Sequence, residues 1–342
     1  MSVISHHSVN IRYEQNPLVT EAFGGWCMDH LNTQWLAGDE NVHLAILQIL
    51  THRLEKKPDL EQFVSSPLLS SLLVYLQSPS SLYFSEVCSV LTKAAVKETA
   101  RHRLVSLNLL AVLNVPHLFE SRSAPTRQAV FGLLERLSEY PDAVGAVYDA
   151  DYLLPSFNTL VAEETVVRNK ICLMNLLANL VFNASEEVSL FSDRFFNLGN
   201  LAGGEGESHT EAWLRLVTAV ASRSDAGKLV TLDAMEKVLR ILKAGNTQGV
   251  RVLGCGYLAT ATVLKEARFA FRELGGLEVL RQVFEVEDNA EEVERYAAQT
   301  VTALAEWPTA RAEMQTLRPA LERRRTRGRV FQRAADQLAW TP

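Results

Sequence analysis

Leu274–Met314 reads LGGLEVLRQVFEVEDNAEEVERYAAQTVTALAEWPTARAEM. Gly275 and Gly276 end one helix, because glycine enters left-handed backbone without the steric penalty that a Cβ brings. Leu277, Leu280 and Phe284 then recur at helical spacing. An acidic, Asn-containing break follows at Asp288 and Asn289, after which Val293, Ala297, Ala298, Val301 and Leu304 mark a second, longer amphipathic helix. Pro308 is expected to stop it. The small Ala297 and Ala298 fall where neighbouring helices would need close approach, so this helix is built to be stacked upon.

The same pattern is written about seven times. Set on the start of the most apolar helix of each copy, anchors fall at Val42, Tyr83, Thr126, Val167, Thr210, Val250 and Val293, at intervals of 40 to 43 residues. A period in that range marks stacked helical repeats of the HEAT and armadillo kind. A short first helix followed by two longer ones resembles the armadillo repeat. Offsets of four, five and eight residues from the anchor give Ile46, Leu47 and Leu50 in the first copy, Val87, Cys88 and Leu91 in the second, and Val130, Phe131 and Leu134 in the third. Apolar character persists while identity drifts, as expected when a repeat must bury its face against its neighbours. The fold expected is all-α, an armadillo/HEAT-like right-handed superhelical solenoid of about seven helical repeats. An N-terminal extension occupies 1–21, the solenoid 22–317 and a basic capping or docking segment 318–342. The fifth copy is the weakest, since the run LAGGEGES, Leu201–Ser208, separates its helices around Phe195 and Trp213 and is expected to form a loose loop.

At 342 residues, 47% hydrophobic and 22% charged, the chain has enough apolar material for a sizeable core. Length alone would suggest two domains of about 150 residues; the unbroken period favours one solenoid. No segment approaches the ~20 uninterrupted apolar residues that span a bilayer, and the first residues lack the basic start and apolar core of a secretory signal. Cytoplasmic placement is the resulting expectation.

Residues capable of chemistry fall into structural places. Cys88, Cys172 and Cys255 each lie five positions after an anchor, where other copies carry Leu47, Phe131 and Ala298, so they read as core filler. Cys27 lies near the start of the first copy. Neither the cysteines nor the histidines, among them His6, His7, His43, His52 and His102, have metal-ligand spacing. Gly203, Gly204 and Gly206 lack the Gly-Lys-Ser/Thr ending of a phosphate loop, and Gly254-Cys255-Gly256 falls inside a helix. The carboxylate pairs Glu163-Glu164, Glu186-Glu187 and Glu291-Glu292 sit at helix starts or turns, where they complement the helix dipole. No catalytic, cofactor or metal site is expected, and the chain does not read as an enzyme.

Two features are not absorbed by stacking. Between Arg318 and Arg333 the chain carries seven arginines against one acid, Glu322, about +6 in a chain of formal charge −6, which leaves about −12 elsewhere. Either this segment is a capping helix that hides the outer face of the last repeat, or it is a docking arm. As an arm, Arg323, Arg324, Arg325, Arg327, Arg329 and Arg333 would pair with a carboxylate-rich protein such as a tubulin tail, or with phosphates; the acidic remainder opposes nucleic acid. The second feature is Asn175, Asn179 and Asn183, which share one face of the fourth repeat. Their amides would hydrogen-bond an extended backbone or serve as ordinary helix-surface polarity. The tryptophan and asparagine ladder of armadillo import receptors is missing, since Trp213 is followed four residues on by Val217.

Asn16–Asp59, NPLVTEAFGGWCMDHLNTQWLAGDENVHLAILQILTHRLEKKPD, is similar to the opening of the radial spoke protein 14 family. The residues that carry the resemblance are Pro17, Ala22-Phe23-Gly24, Leu31-Asn32, Leu36, Asp39, Ala45, Leu47, Leu50 and Pro58. Beyond this first repeat only the shared repeat pattern matches. The resemblance implies a non-enzymatic scaffold of the radial spoke in the axoneme of cilia or flagella, with spoke subunits and possible tubulin contact as its partners. The alternative is a soluble armadillo adaptor that carries an extended peptide or cargo in its concave groove, with the three asparagines in contact.

Overall fold

Most of the apolar residues that recur in the sequence are ones the structure buries, although the anchor Val167 is exposed and Leu277 is half-buried. Ile46, Leu47 and Leu50, then Val87, Cys88 and Leu91, then Val130, Phe131 and Leu134 are buried at matching offsets, as are Val293, Ala297, Ala298, Val301 and Leu304. The computed structural model describes residues 35–36, 40–77, 83–113, 123–148, 164–183, 206–223, 227–286 and 289–340. Among them every regular element is a helix, which makes the protein an all-α helical-repeat solenoid. The extension 1–21, Cys27, the leading segment up to Gln34, Glu163, Glu186, Glu187, Phe195 and Leu201–Glu205 lie outside the described residues. The chain divides into two compact units, Met1–Leu133 and Leu134–Pro342.

In the first unit the described helices are α1 (Glu40–Arg53), α2 (Lys57–Ser65), α3 (Leu68–Leu73, continued by a 3-10 turn Val74–Gln77), α4 (Phe84–Ala94), α5 (Glu98–Ser106), α6 (Leu109–Leu113) and most of α7 (Ala124–Ser138). The long α1 and α4 pack on each other. Their polar ties are spaced by one repeat. Lys93 donates to the Thr51 carbonyl and to Glu55, both at 2.7 Å, Lys97 pairs with Glu61, and Arg103 Nη1 donates to the Val64 carbonyl at 2.6 Å. Near the start, Trp35, His43, Tyr75 and Tyr83 form a ring cluster whose centroids lie 4.4 to 5.9 Å apart, a geometry that favours aromatic packing.

The second unit continues with α8 (Pro141–Tyr148), α9 (Val167–Asn183), α10 (Glu207–Ala221), α11 (Gly227–Lys243), α12 (Gln248–Ala261), α13 (Lys265–Glu273), α14 (Gly276–Glu285), α15 (Glu291–Leu304), α16 (Pro308–Glu313, then a 3-10 turn Met314–Leu317), α17 (Arg318–Arg324) and α18 (Arg329–Ala339). The long helices α9, α10, α12, α15 and α18 pack each on the next. Two shorter helices and then a long one make the triplet α13, α14, α15, and the order recurs in α16, α17, α18. Residues 308–339 therefore have the form of a further repeat, whose start precedes the segment that sequence set apart at residue 318.

Close packing explains the quoted stretch. Gly275 has φ 74°, and a Cβ on Gly276 would stand 2.4 Å from the Phe271 ring, so only glycine lets α13 turn into α14 over that ring. Gly254 lets α12 lie against Leu242 of α11, where a Cβ would meet Cδ2 at 2.8 Å. Asn289 closes the α14–α15 turn, its Nδ2 donating to the Val283 carbonyl at 2.7 Å while its Oδ1 accepts from Arg251 at 2.9 Å. Pro308 corrects an expectation. The long helix already ends at Leu304, and Pro308 is the first residue of α16, where its missing N–H and fixed φ suit helix initiation.

A recurrent device closes the long helices. In AVKETAR (95–101), TVLKEAR (262–268) and AEWPTAR (305–311) the final arginine is buried and reaches back six residues to a helix-end carbonyl. Arg101 Nη1 donates to the Ala95 oxygen at 3.1 Å, Arg268 Nε to Thr262 at 2.7 Å and Arg311 Nε to Ala305 at 2.8 Å. These carbonyls lack intrahelical donors, so a buried cation there satisfies orphan acceptors and complements the helix dipole.

Candidate functional site

Asn175, Asn179 and Asn183 are spaced by four residues on α9, which puts them on one face. That face turns toward the end of α7. Asn175 Nδ2 donates to Glu135 Oε1 at 2.8 Å, Asn179 Nδ2 to Ser138 Oγ at 3.1 Å and to the Glu135 carbonyl at 3.4 Å, and Asn183 Nδ2 to the Ser138 carbonyl at 3.2 Å. The row thus tethers one repeat to the preceding one, and two of its acceptors are carbonyls of the last helical turn. Beside it lies Cys172, which is half-buried rather than enclosed like Cys88 and Cys255. Burial raises the Glu135 carboxyl above the usual range, against the lowering effect of hydrogen bonds from Cys172 and Asn175. Burial and the neighbouring Glu135 push the Cys172 thiol up to about 12, so it is protonated at neutral pH.

The basic segment divides into residues with different tasks. Arg324 is 8% exposed; its Nη2 donates to Glu294 Oε1 at 2.6 Å and to the Phe284 carbonyl at 3.2 Å, and its guanidinium stands 5.6 Å from the Phe284 ring centroid. Arg327 Nη1 takes the other oxygen of the same fully buried Glu294 at 2.7 Å. Arg325 bridges Glu322 at 3.1 Å and Asp336 at 2.7 Å, and Arg318 lies 3.9 Å from Glu322. Arg323, Arg329 and Arg333 are exposed. None of these three forms an ion pair among the described residues.

Elsewhere polar groups serve the helices. Glu164 accepts from the Val166 amide at 2.9 Å and from Asn169 Nδ2 at 3.0 Å at the head of α9. Glu291 and Glu292 stand in the first turn of α15. His102 pairs with Glu98 at 3.6 Å on α5. No group of three or more His, Cys, Asp or Glu among the described residues is placed to hold a metal ion, and no described helix is long and apolar enough to cross a membrane.

Two features escaped sequence reasoning. The first is the buried Ala-Arg pair of the three helix-end clasps; the pair repeats at a fixed offset and was open to reading. The second is two aromatic contacts on the second unit: exposed Phe269 packs on half-buried Trp307 with centroids 4.2 Å apart, and the Arg311 guanidinium lies 4.6 Å from the centroid of exposed Trp340. Single aromatics at helix ends carry no periodic signal, and only folding shows which stay exposed.

No family model matches the chain, and no curated protein matches it in sequence. Among solved structures it is similar to an engineered protein solved by the Northeast Structural Genomics Consortium, with a TM-score of 0.80 at 20% identity over 95% of this chain and 80% of that one. It is also similar to a designed armadillo repeat protein, with a TM-score of 0.46 at 15% identity over 79% of this chain and 98% of that one. At such identities the first likeness speaks for the fold alone.

Proposed function

We propose that the protein is a non-enzymatic scaffold that holds protein partners on a stack of armadillo-like repeats, and that it serves in the axonemal radial spoke. The observation that carries the scaffold reading is the use of its polar groups. Within each unit lysines, arginines and asparagines tie neighbouring repeats together, the described cysteines are buried or half-buried between helices, and the buried carboxylates Glu164 and Glu294 are taken up by a helix start and by two arginines. A stack of this kind needs no ligand for stability and offers extended surface to several partners at once. The spoke reading rests on the resemblance of Asn16–Asp59 to the radial spoke protein 14 family. An adaptor that grips a peptide through Asn175, Asn179 and Asn183 would have to compete with the hydrogen bonds those amides already give to α7.

Detergent extraction of motile cilia or flagella tests the reading. A spoke scaffold stays with the insoluble axoneme and leaves it in high salt, and its deletion removes spoke density and stops or stiffens the beat. A wholly detergent-soluble pool, with spokes and motility unchanged on deletion, would overturn it.

A further inference from the structure

The helix α18 buries a narrower face than α15. Whereas α15 buries Val293, Glu294, Ala297, Ala298, Thr300, Val301 and Leu304 over a broad arc, α18 buries only Phe331, Ala334, Ala335 and Leu338, an apolar face with steps of three and four residues. Its opposite side carries Arg329, Arg333 and Asp336, spaced by four and three residues and so aligned in one stripe, and the exposed Trp340 follows at the helix's C-terminal end. A further repeat would need an apolar surface there. This one is charged, with an aromatic end.

The stripe is ordered by contacts that do not use up its binding groups. Asp336 is answered by Arg325 at 2.7 Å, which leaves Arg329 and Arg333 as positive charges without an ion pair among the described residues. Arg311 Nη1 donates to the Trp340 carbonyl at 3.3 Å and Gln315 Nε2 to the Leu338 carbonyl at 2.7 Å, fixing the helix end. The Trp340 side of the stripe is thereby held with its residue 58% exposed and one part of its ring against Arg311. Tryptophan and arginine are the residue types enriched among the groups that carry binding energy at protein interfaces.

We propose that this stripe docks an acidic polypeptide segment, with carboxylates on Arg329 and Arg333 and an apolar side chain on the Trp340 ring. From Arg329 to Trp340 the helix rises about 16 Å, the reach of about five residues of extended chain. Guanidinium and carboxylate match in planar hydrogen-bonding geometry. A polynucleotide fits less well than a short acidic segment, because its continuous phosphate charge extends beyond the stripe and meets the charge of about −12 carried by the rest of the chain. The inference rests on the scaffold reading and names a surface and a partner chemistry for it.

The test is fluorescence anisotropy of a labelled Glu-Glu-Ala-Glu-Glu-Leu peptide titrated with the full chain at low ionic strength. Saturable binding is expected, weakened at least about tenfold in Arg329→Ala/Arg333→Ala and several-fold in Trp340→Ala, and unchanged in Arg215→Ala, an exposed arginine of α10. Far-UV circular dichroism and melting of each variant check that the fold persists, which is expected for outward side chains. No saturable binding, or equal binding by the double variant, would overturn the proposal. So would tighter binding of single-stranded RNA that is lost in the same double variant, which would make the stripe a nucleic-acid surface. None of these failures alters where the protein partitions on extraction of the axoneme, so the surface and the scaffold reading fail separately.

Discussion

Glu294 shows how a charge-dense sequence becomes structure. Its fully buried carboxylate receives Arg324 and Arg327, one on each oxygen. Removing one partner of a buried pair leaves the other ion desolvated and uncompensated, at a cost of about 3–5 kcal/mol. Glu294→Leu should therefore lower unfolding free energy by that order in urea, Arg324→Met by less because Arg327 still answers Glu294, and the double variant should recover much of the Glu294→Leu loss. Additive losses would contradict the account. His209 supplies a pH dependence. It is buried, and desolvation, then the charge of Lys170, lowers its pKa. The folded state thus holds the neutral ring while the unfolded chain takes up a proton below about pH 6.5. Stability from this site is complete above that value and is lost as pH falls toward the depressed folded pKa. Urea midpoints measured from pH 7.5 to 5 should fall more steeply in the parent than in His209→Gln; parallel slopes would remove His209 as the cause.

Among the elements, the helix-end arginines make the clearest case for stacking chemistry. Arg268 satisfies the Thr262 and Val263 carbonyls and also meets Glu306 of the next repeat at 2.6 Å. Arg268→Met keeps the stem's volume and removes those bonds, so a loss of about 2–3 kcal/mol is expected in chemical denaturation. A change below about 0.5 kcal/mol would reduce the clasp to surface decoration. The long helices were legible because their apolar pattern is dense. α18 was harder to place, since its buried face is only Phe331, Ala334, Ala335 and Leu338 beside charged and polar residues. The arginines themselves looked alike in the sequence. Which of them point inward depends on Glu294 and Phe284, 30 and 40 residues earlier, and no local pattern encodes that pairing. The asparagine row was legible as one face of α9, but its acceptors on α7 were not.

At the scale of the molecule, a period of about 40 residues in the sequence reappears within each unit as hydrogen bonds and ion pairs that join neighbouring repeats. Lys93 to Thr51, Asn175 to Glu135, Arg223 to Val181 and Arg272 to Glu313 all span 40 to 42 residues. The polar groups spent on these ties are unavailable to partners, and the proposed docking surface is the stripe of Arg329 and Arg333 on α18. Hydrogen exchange of the full chain, with and without the acidic peptide, tests that claim most directly. The account predicts slowed exchange over residues 329–340 and unchanged exchange along Asn175–Asn183. Protection confined to Asn175–Asn183, or none at α18 under saturating peptide, would contradict it.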